Sequence, residues 1–319
     1  VVPNATDAVA ATPHTHGKSK LMTTPETLPT GPGATDDGDR ILWLRYSPYF
    51  GIHLASLAVI WTGTTVWAVA LAVLLYFARM FFVTAFYHRY FSHRAFRASR
   101  PVQFIFAWLA CTAAQRGPMW WAAHHREHHS GSDGPEDAHS PMHVGFWVSH
   151  MGWFMQRKNQ GFNEGIVKDW MRFPELRWLE RNAWVPFATM LLGIFGLGAL
   201  LGHLYPSLGI GPWQFLVWGG CISTVAVFHG TYTINSISHL WGTRRYETKD
   251  DSRNNFLLAL LTLGEGWHNN HHKFPGAARQ GFFWWEVDIT YYILKAMSLT
   301  GIVRDLRPPP KAAFSTPGE

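Results

Sequence analysis

The chain has 319 residues, of which 47% are hydrophobic, 15% aromatic and 15% charged, with seventeen tryptophans and a formal net charge of +6. Soluble domains carry about 25% charged residues, so this composition excludes a largely disordered chain, a disulfide-rich secreted scaffold and a nucleic-acid coat, and no nucleic-acid partner is expected. A mean hydropathy of −0.05 is too low for a chain lying wholly in lipid, which leaves a few spanning helices carrying a large water-facing part.

Residues 1–40 are rich in Thr, Pro, Gly and Ala, carry a net charge of −2 and have no apolar periodicity; they read as a disordered tail with neither the apolar centre of a signal peptide nor an Arg-rich transit helix. The main domain is expected over 41–310, with a short C-terminal tail over 311–319. Residues 49–87 are free of charge except for Arg79. As helix they would reach about 58 Å, close to two crossings of a hydrocarbon core about 30 Å thick. Thr62-Gly63-Thr64-Thr65 is the expected break, giving helices near 49–62 and 65–87. Pro101–Ala114 is too short to span and reads as a buried or interfacial helix. Asn182–His203 and Pro212–Ser238 are further apolar runs, joined by a turn over Leu204–Gly211. Neither 62–65 nor 204–211 contains Lys or Arg, whereas the opposite side holds Arg89, Arg94, Arg97, Arg100, Arg116, Arg126, Arg157, Lys158, Arg244, Arg245 and Lys249. The positive-inside rule puts that side, and both termini, in the cytoplasm. The expected fold is an all-α integral membrane protein: four transmembrane helices in two hairpins, with a helical cytoplasmic cap built from 88–181 and 240–319. Cys111 and Cys221 lie in apolar stretches and read as buried thiols.

Three segments carry the chemistry: His88-Arg-Tyr-Phe-Ser-His93, His125-Arg-Glu-His128-His129 and His268-Asn-Asn-His271-His272. They hold eight of the eighteen histidines, and His-rich tracts point to metal. Positions i, i+3 and i+4 share a helix face, so His125, His128 and His129 can aim at one point, as can His268, His271 and His272. His88 and His93, about 140° apart on an ideal helix, converge only if the helix ends between them. Asn235 and His239 stand at i, i+4 where the fourth apolar run ends, adding a ninth histidine and an amide. Nine imidazoles exceed one zinc and suit two metal ions; imidazole alone does not choose among Zn, Cu, Fe and Ni. Glu127, the only carboxylate inside a box, is expected to point away. A lone histidine in an apolar helix is ordinarily a hydrogen-bonded core residue, which is the reading for His53, His203 and His229; His14 and His16 lie in the tail, and His124, His139, His143 and His150 are left open.

The order HxxxxH, HxxHH, HxxHH between paired apolar hairpins resembles the membrane fatty acyl desaturases. The detailed text at 121–129 (WAAHHREHH), 137–141 (DAHSP), 145–154 (GFWVSHMGWF), 235–239 (NSISH) and 264–272 (GEGWHNNHH) is similar to the stearoyl-CoA (Δ9) desaturase-like branch in a bacterial form. The resemblance covers roughly 40–310. It implies a di-iron centre (two Fe2+) with His88, His93, His125, His128, His129, His239, His268, His271 and His272 as ligands and Asn235 acting through a water. It further implies O2 as cosubstrate, two electrons from an external donor, and a cis double bond introduced into a long saturated chain. By the same resemblance Gln115, Trp121 and Thr231 line a bend of the acyl tunnel, and a multi-pass protein of the bacterial inner membrane is expected. Where animal acyl-CoA enzymes face their carrier with polar and acidic groups, this chain has Arg116, Ala123 and His124, so coenzyme A, acyl carrier protein and a glycerolipid all stay open as carriers.

The chemistry agrees with a redox site. An unactivated methylene offers neither an acidic proton nor a leaving group, so a redox metal has to carry the hard step while the protein positions the chain and excludes water. No GxSxG, GxGxxG or P-loop pattern is present, and electrons are expected from a partner such as ferredoxin or cytochrome b5 with its reductase, docking on the basic face. Hydroxylation, or oxidative decarboxylation to a terminal alkene, is the alternative outcome on the same scaffold. A metal transporter or sensor would require more ionisable groups inside the spans.

Overall fold

The computed structural model describes residues 37–314. Most of the tail expected over 1–40, with His14 and His16, and the last residues of the tail expected over 311–319 lie outside the described residues. Asp37 and Asp39, in a 3-10 turn, pair with Arg157 and Lys158 at 2.7 Å each. Lys311–Phe314 form another 3-10 turn, whose buried Ala313 accepts a hydrogen bond from the Tyr246 hydroxyl at 2.6 Å.

The described residues are mostly helical; the only sheet among them pairs β1 (Arg97–Ala98) with β2 (Val303–Arg304). Helix α1 spans Ser47–Ser56, turns at Leu57 and Ala58 through i→i+3 bonds, and is followed by one more turn, Val59–Thr62, which ends at Gly63 with φ +72°. Helix α2 (Val66–Phe82) starts where the Thr65 hydroxyl accepts from the Ala68 amide at 3.2 Å. After α3 (Arg100–Cys111) and α4 (Pro118–Gly131), α5 (Pro174–Arg181) leads into α6 (Trp184–Leu204). The next span opens at Pro212–Phe215, widens to a π-helix over Leu216–Ile222 and continues as α7 (Ser223–Asn235). Beyond it come α8 (Phe256–Leu261), α9 (His268–Lys273) and α10 (Ile289–Leu299).

Three helices among the described residues are long and apolar enough to cross a membrane: Val66–Ser92, Trp184–Leu204 and Pro212–Leu240. The expected arm over 49–62 is instead the two-piece segment α1 plus Val59–Thr62. The turns at the far end tie the spans together: Thr65 Oγ1 donates to Gln214 Oε1 at 2.8 Å, and Trp218 Nε1 donates to the Gly63 carbonyl at 3.1 Å. Arg79 is buried within α2. Its guanidinium is satisfied by the Thr224 hydroxyl at 2.6 Å, by Ser223, and by the Leu75 and Thr112 carbonyls, rather than by a carboxylate. Cys111 and Cys221 are free thiols, the first buried and the second half-buried.

The main core packs α2 and its extension on α3, α4 and α10, while an aromatic cluster of Tyr49, Trp120, Trp153, Phe154, Phe228 and Tyr232 fills the space among α1, α4 and α7.

Candidate metal centre

The first box is placed by an irregular helix. Helix α2 continues as a π-helix over Val83–Ser92 and ends there, with His93 as its cap residue, the His93 amide donating to the His88 carbonyl at 3.2 Å. The i→i+5 pattern brings residues five apart to the same side, and the two ring centroids lie 4.9 Å apart. The helix ends between the two histidines as expected, and what the spacing does not show is the widened π-turn that adds to their convergence. Helix α4 carries His125, His128 and His129, α9 carries His268, His271 and His272, and His239 lies in the turn after α7.

The nine rings sort into two groups. Nitrogens of His88, His93, His125, His129 and His271 lie within 4.8 Å of one another, as do those of His128, His239, His268 and His272. Four pairs of Nε2 atoms face each other: His93–His125 at 2.8 Å, His88–His271 and His129–His271 at 2.9 Å, and His239–His268 at 3.0 Å. Glu127 is exposed and belongs to neither group.

Four carboxylates that the sequence reading did not assign stand behind the rings. Asp137 meets His128 Nδ1 at 2.9 Å, Asp133 meets His239 Nδ1 at 2.7 Å, Asp250 meets His272 Nδ1 at 2.9 Å, and Glu265 pairs with His88 Nδ1. A carboxylate only accepts, so each Nδ1 carries the proton and each Nε2 presents a bare lone pair. His88 and His239 each aim such a lone pair at another ring nitrogen, a contact a cation would relieve, and His272 Nε2 has no hydrogen-bond partner among the described residues. The donor set therefore fits two metal ions. Burial, reinforced by neighbouring imidazoles, holds His93, His125, His129, His268, His271 and His272 well below the ordinary histidine range, which keeps them neutral and able to ligate a metal. Burial works against ionisation of Asp133, but bonds from His239, Ser140 and the Asp251 amide outweigh it and hold the group at about 2. Asp137 is likewise held low against its burial by His139 and His128, and Glu265 by His88 and Arg89. Arg89 is buried between Glu265 and Asp288, each at 3.0 Å. Gly264, at φ +128°, brings the chain past this pair where a Cβ would lie 2.4 Å from Asp288 Oδ1.

A cavity of about 340 Å³ runs from Arg45, Pro48 and Trp184 to His125, His139 and Asn235. Gln115, Trp121 and Thr231 all line it. Gln115 Nε2 donates to Thr231 Oγ1 at 2.9 Å, and Trp121 stacks on His125 with ring centroids 5.0 Å apart. Of the histidines left open, His124 lines the cavity and stacks on Trp120, and His139 forms a third cluster with His128 and Asp137. His143 bonds the Asp133 carbonyl. His150 joins the two apolar-helix histidines in a chain: His53 Nε2 to His229 Nε2 at 3.3 Å, His229 Nδ1 to His150 Nε2 at 3.0 Å, and His150 Nδ1 to Ser236 Oγ at 2.9 Å. That satisfies His53 and His229 as core residues; His203 is exposed at the end of α6.

Comparison with known proteins gives the same direction. The family model described as fatty acid desaturase matches residues 64–299. The chain is 34% identical to Delta-9 acyl-lipid desaturase 2 of Arabidopsis thaliana, over 86% of this chain and 85% of that one. It is 36% identical to the sn-1 stearoyl-lipid 9-desaturase of Synechocystis sp., over 86% of this chain and 82% of that one. It is 37% identical to the acyl-CoA C20 Delta5-desaturase of Anemone leveillei, over 72% of this chain and 70% of that one. The chain thus belongs to the fatty acid desaturase family and is an oxidoreductase acting on fatty acyl chains.

Proposed function

We propose that the enzyme introduces a cis double bond at Δ9 of a long-chain saturated acyl chain, with O2 as oxidant, at two iron ions (Fe2+). His88, His93, His125, His129 and His271 would hold one ion. His128, His239, His268 and His272 would hold the other, with Asn235 acting on it through a water. When bound, the two ions supply the redox chemistry that an unactivated methylene requires. The remaining work falls to the chain itself. Asp133, Asp137, Asp250 and Glu265 orient the rings and keep their Nδ1 protons in place. The aromatic walls exclude water, and the Gln115–Thr231 bond with Trp121 selects by shape which carbons reach the inner end, because apolar contact alone discriminates only about 1–3 kcal/mol per methylene.

The observation that carries this reading is the meeting of two groups of imidazole nitrogens, each with a carboxylate behind at least one ring, with one end of an aromatic-lined cavity. The two-hairpin topology belongs to the same reading, with residues 47–62 completing the first hairpin and both ends cytoplasmic in a bacterial inner membrane. Electrons come from an external donor of the ferredoxin or cytochrome b5 type. Part of the basic face is already paired internally, Arg94 with Asp169 and Arg244 with Asp251, so steering relies on the remaining cations. Fatty-acid profiling of a host producing the chain tests the outcome. A two-hydrogen loss located between C9 and C10 is expected; an added oxygen would indicate hydroxylation, and a terminal alkene one carbon shorter would indicate decarboxylation.

A further inference from the structure

Gln280 lies fully buried in the segment between α9 and α10, behind the five-histidine group. Its backbone is pinned from two sides: its amide donates to Asp288 Oδ2 at 2.7 Å, and its carbonyl accepts from Asn270 Nδ2 at 3.0 Å. Two residues earlier, the Ala278 carbonyl accepts from Arg89 Nη1 at 2.7 Å. Asn270 precedes His271 in α9 and Arg89 follows His88, so the segment is tied to both elements that carry these two rings. The Gln280 side chain therefore starts from a fixed point, as a group that orients a ligand must.

From there the carboxamide reaches the rings. Nε2 donates to Glu265 Oε2 at 3.2 Å and to His271 Nδ1 at 3.3 Å, and lies 3.4 Å from His88 Nδ1. His88 Nδ1 already gives its hydrogen to Glu265, so the two amide hydrogens go to Glu265 and His271. His88 Nε2 and His271 Nε2 face each other at 2.9 Å. These contacts close a ring from Glu265 through His88, His271 and Gln280 back to Glu265, which aims the two imidazoles at a common point before any ion arrives. Gln280 Oε1 is buried without a hydrogen-bond partner among the described residues. A carboxamide both donates and accepts, so it suits either tautomer of His271. A carboxylate in its place would face Glu265 at close range, and Arg89 is already shared between Glu265 and Asp288; like charges so placed disfavour one another.

We infer that Gln280 is a positioning residue for the ion of the five-histidine group. It touches no ion; it closes the ring that turns His88 and His271 together, and does for His271 what Asp133, Asp137 and Asp250 do for rings of the other group. This rests on the two-ion reading of the centre and adds to it a residue that lies outside the three histidine boxes.

The test uses the full-length protein in detergent, loaded with isotopically enriched iron. Gln280→Met keeps the length of the side chain and removes both bonds; Gln280→Asn keeps a carboxamide but draws it back by a methylene. In each variant a chelator should strip the five-histidine ion at a concentration about tenfold lower than in wild type, the lower end of what losing a partner behind a ligand costs. The four-histidine ion should be released as in wild type, and the Mössbauer signal of one ion only should change. Release of both ions unchanged in the two variants would overturn the inference. So would equal loosening of both ions with both signals altered, which would make Gln280 a general support of the fold. A wild type that holds a single ion, released about tenfold more readily from both variants, would support the role of Gln280 and count against the two-ion reading.

Discussion

Asp133→Asn separates the charge behind a ligand from its shape. Asp133 has φ +55°, a conformation asparagine tolerates. One carboxylate oxygen accepts from His239 Nδ1 at 2.7 Å and from the Asp251 amide at 2.8 Å, while the other accepts from Ser140 Oγ at 2.7 Å. An amide oxygen can keep the first two bonds, and Ser140 can rotate to accept from the amide nitrogen, so the loop stays in place and only the negative charge is removed. Losing a carboxylate behind a ligating histidine costs 10–100-fold in metal affinity, about 1.4–2.7 kcal/mol. The loss should fall on the four-histidine group and spare the five-histidine group, where Glu265 stands behind His88. Titration of the iron-loaded protein with a chelator should remove one ion per chain at a concentration at least tenfold lower than in wild type, with the second ion unchanged. Two ions released together at the wild-type concentration would refute the carboxylate's role.

Other outcomes follow from the same contacts. His128→Ala and His271→Ala each remove a ring from one of the two groups; product should vanish and iron content drop while the protein still inserts in membranes, as judged by its fractionation. Thr231→Val breaks the 2.9 Å bond from Gln115 without changing volume much, and product analysis should show a spread in double-bond position or preferred chain length. Gly264→Ala pushes a methyl toward Asp288 and Arg89; a stability loss of about 1–3 kcal/mol should lower the melting temperature and loosen the ion held by His88. For metal-free protein, the depressed histidines bind protons only in the unfolded chain as pH drops below about 6.5, so melting temperature should be flat above that value and decline from it toward pH 5. Asp133 and Asp137 add their loss only from about pH 4 downward. A melting temperature that rises on acidification would contradict this sign.

The three boxes and the apolar spans are readable because they rest on spacing, and spacing survives in a linear chain. The i, i+3, i+4 pattern assigned one face to His125, His128 and His129, but the structure divides them: His125 and His129 fall in the five-histidine group and His128 in the four-histidine group. What spacing cannot show is a change of helical pitch: His88 and His93 look divergent on an ideal helix and converge through the π-helix of Val83–Ser92 and its end at His93. Nor does it show partners brought in by tertiary folding. Glu265 sits three residues before His268 in a segment quoted for its histidines, and Asp133 and Asp137 follow the second box directly, yet nothing local marks them as the groups behind His88, His239 and His128. Asp250 reaches His272 from a loop 22 residues upstream in the chain. The first apolar arm was legible as a helical stretch but its break was not: composition gives hydrophobicity but not continuity, and the turn at Leu57 and Ala58 carries no Gly or Pro.

The most direct measurement is anomalous scattering at the iron edge from crystals of the iron-loaded enzyme. Two peaks are expected, one among His88, His93, His125, His129 and His271 and one among His128, His239, His268 and His272. A single peak, or an ion seated on the His128–Asp137–His139 cluster instead, would contradict the two-ion centre.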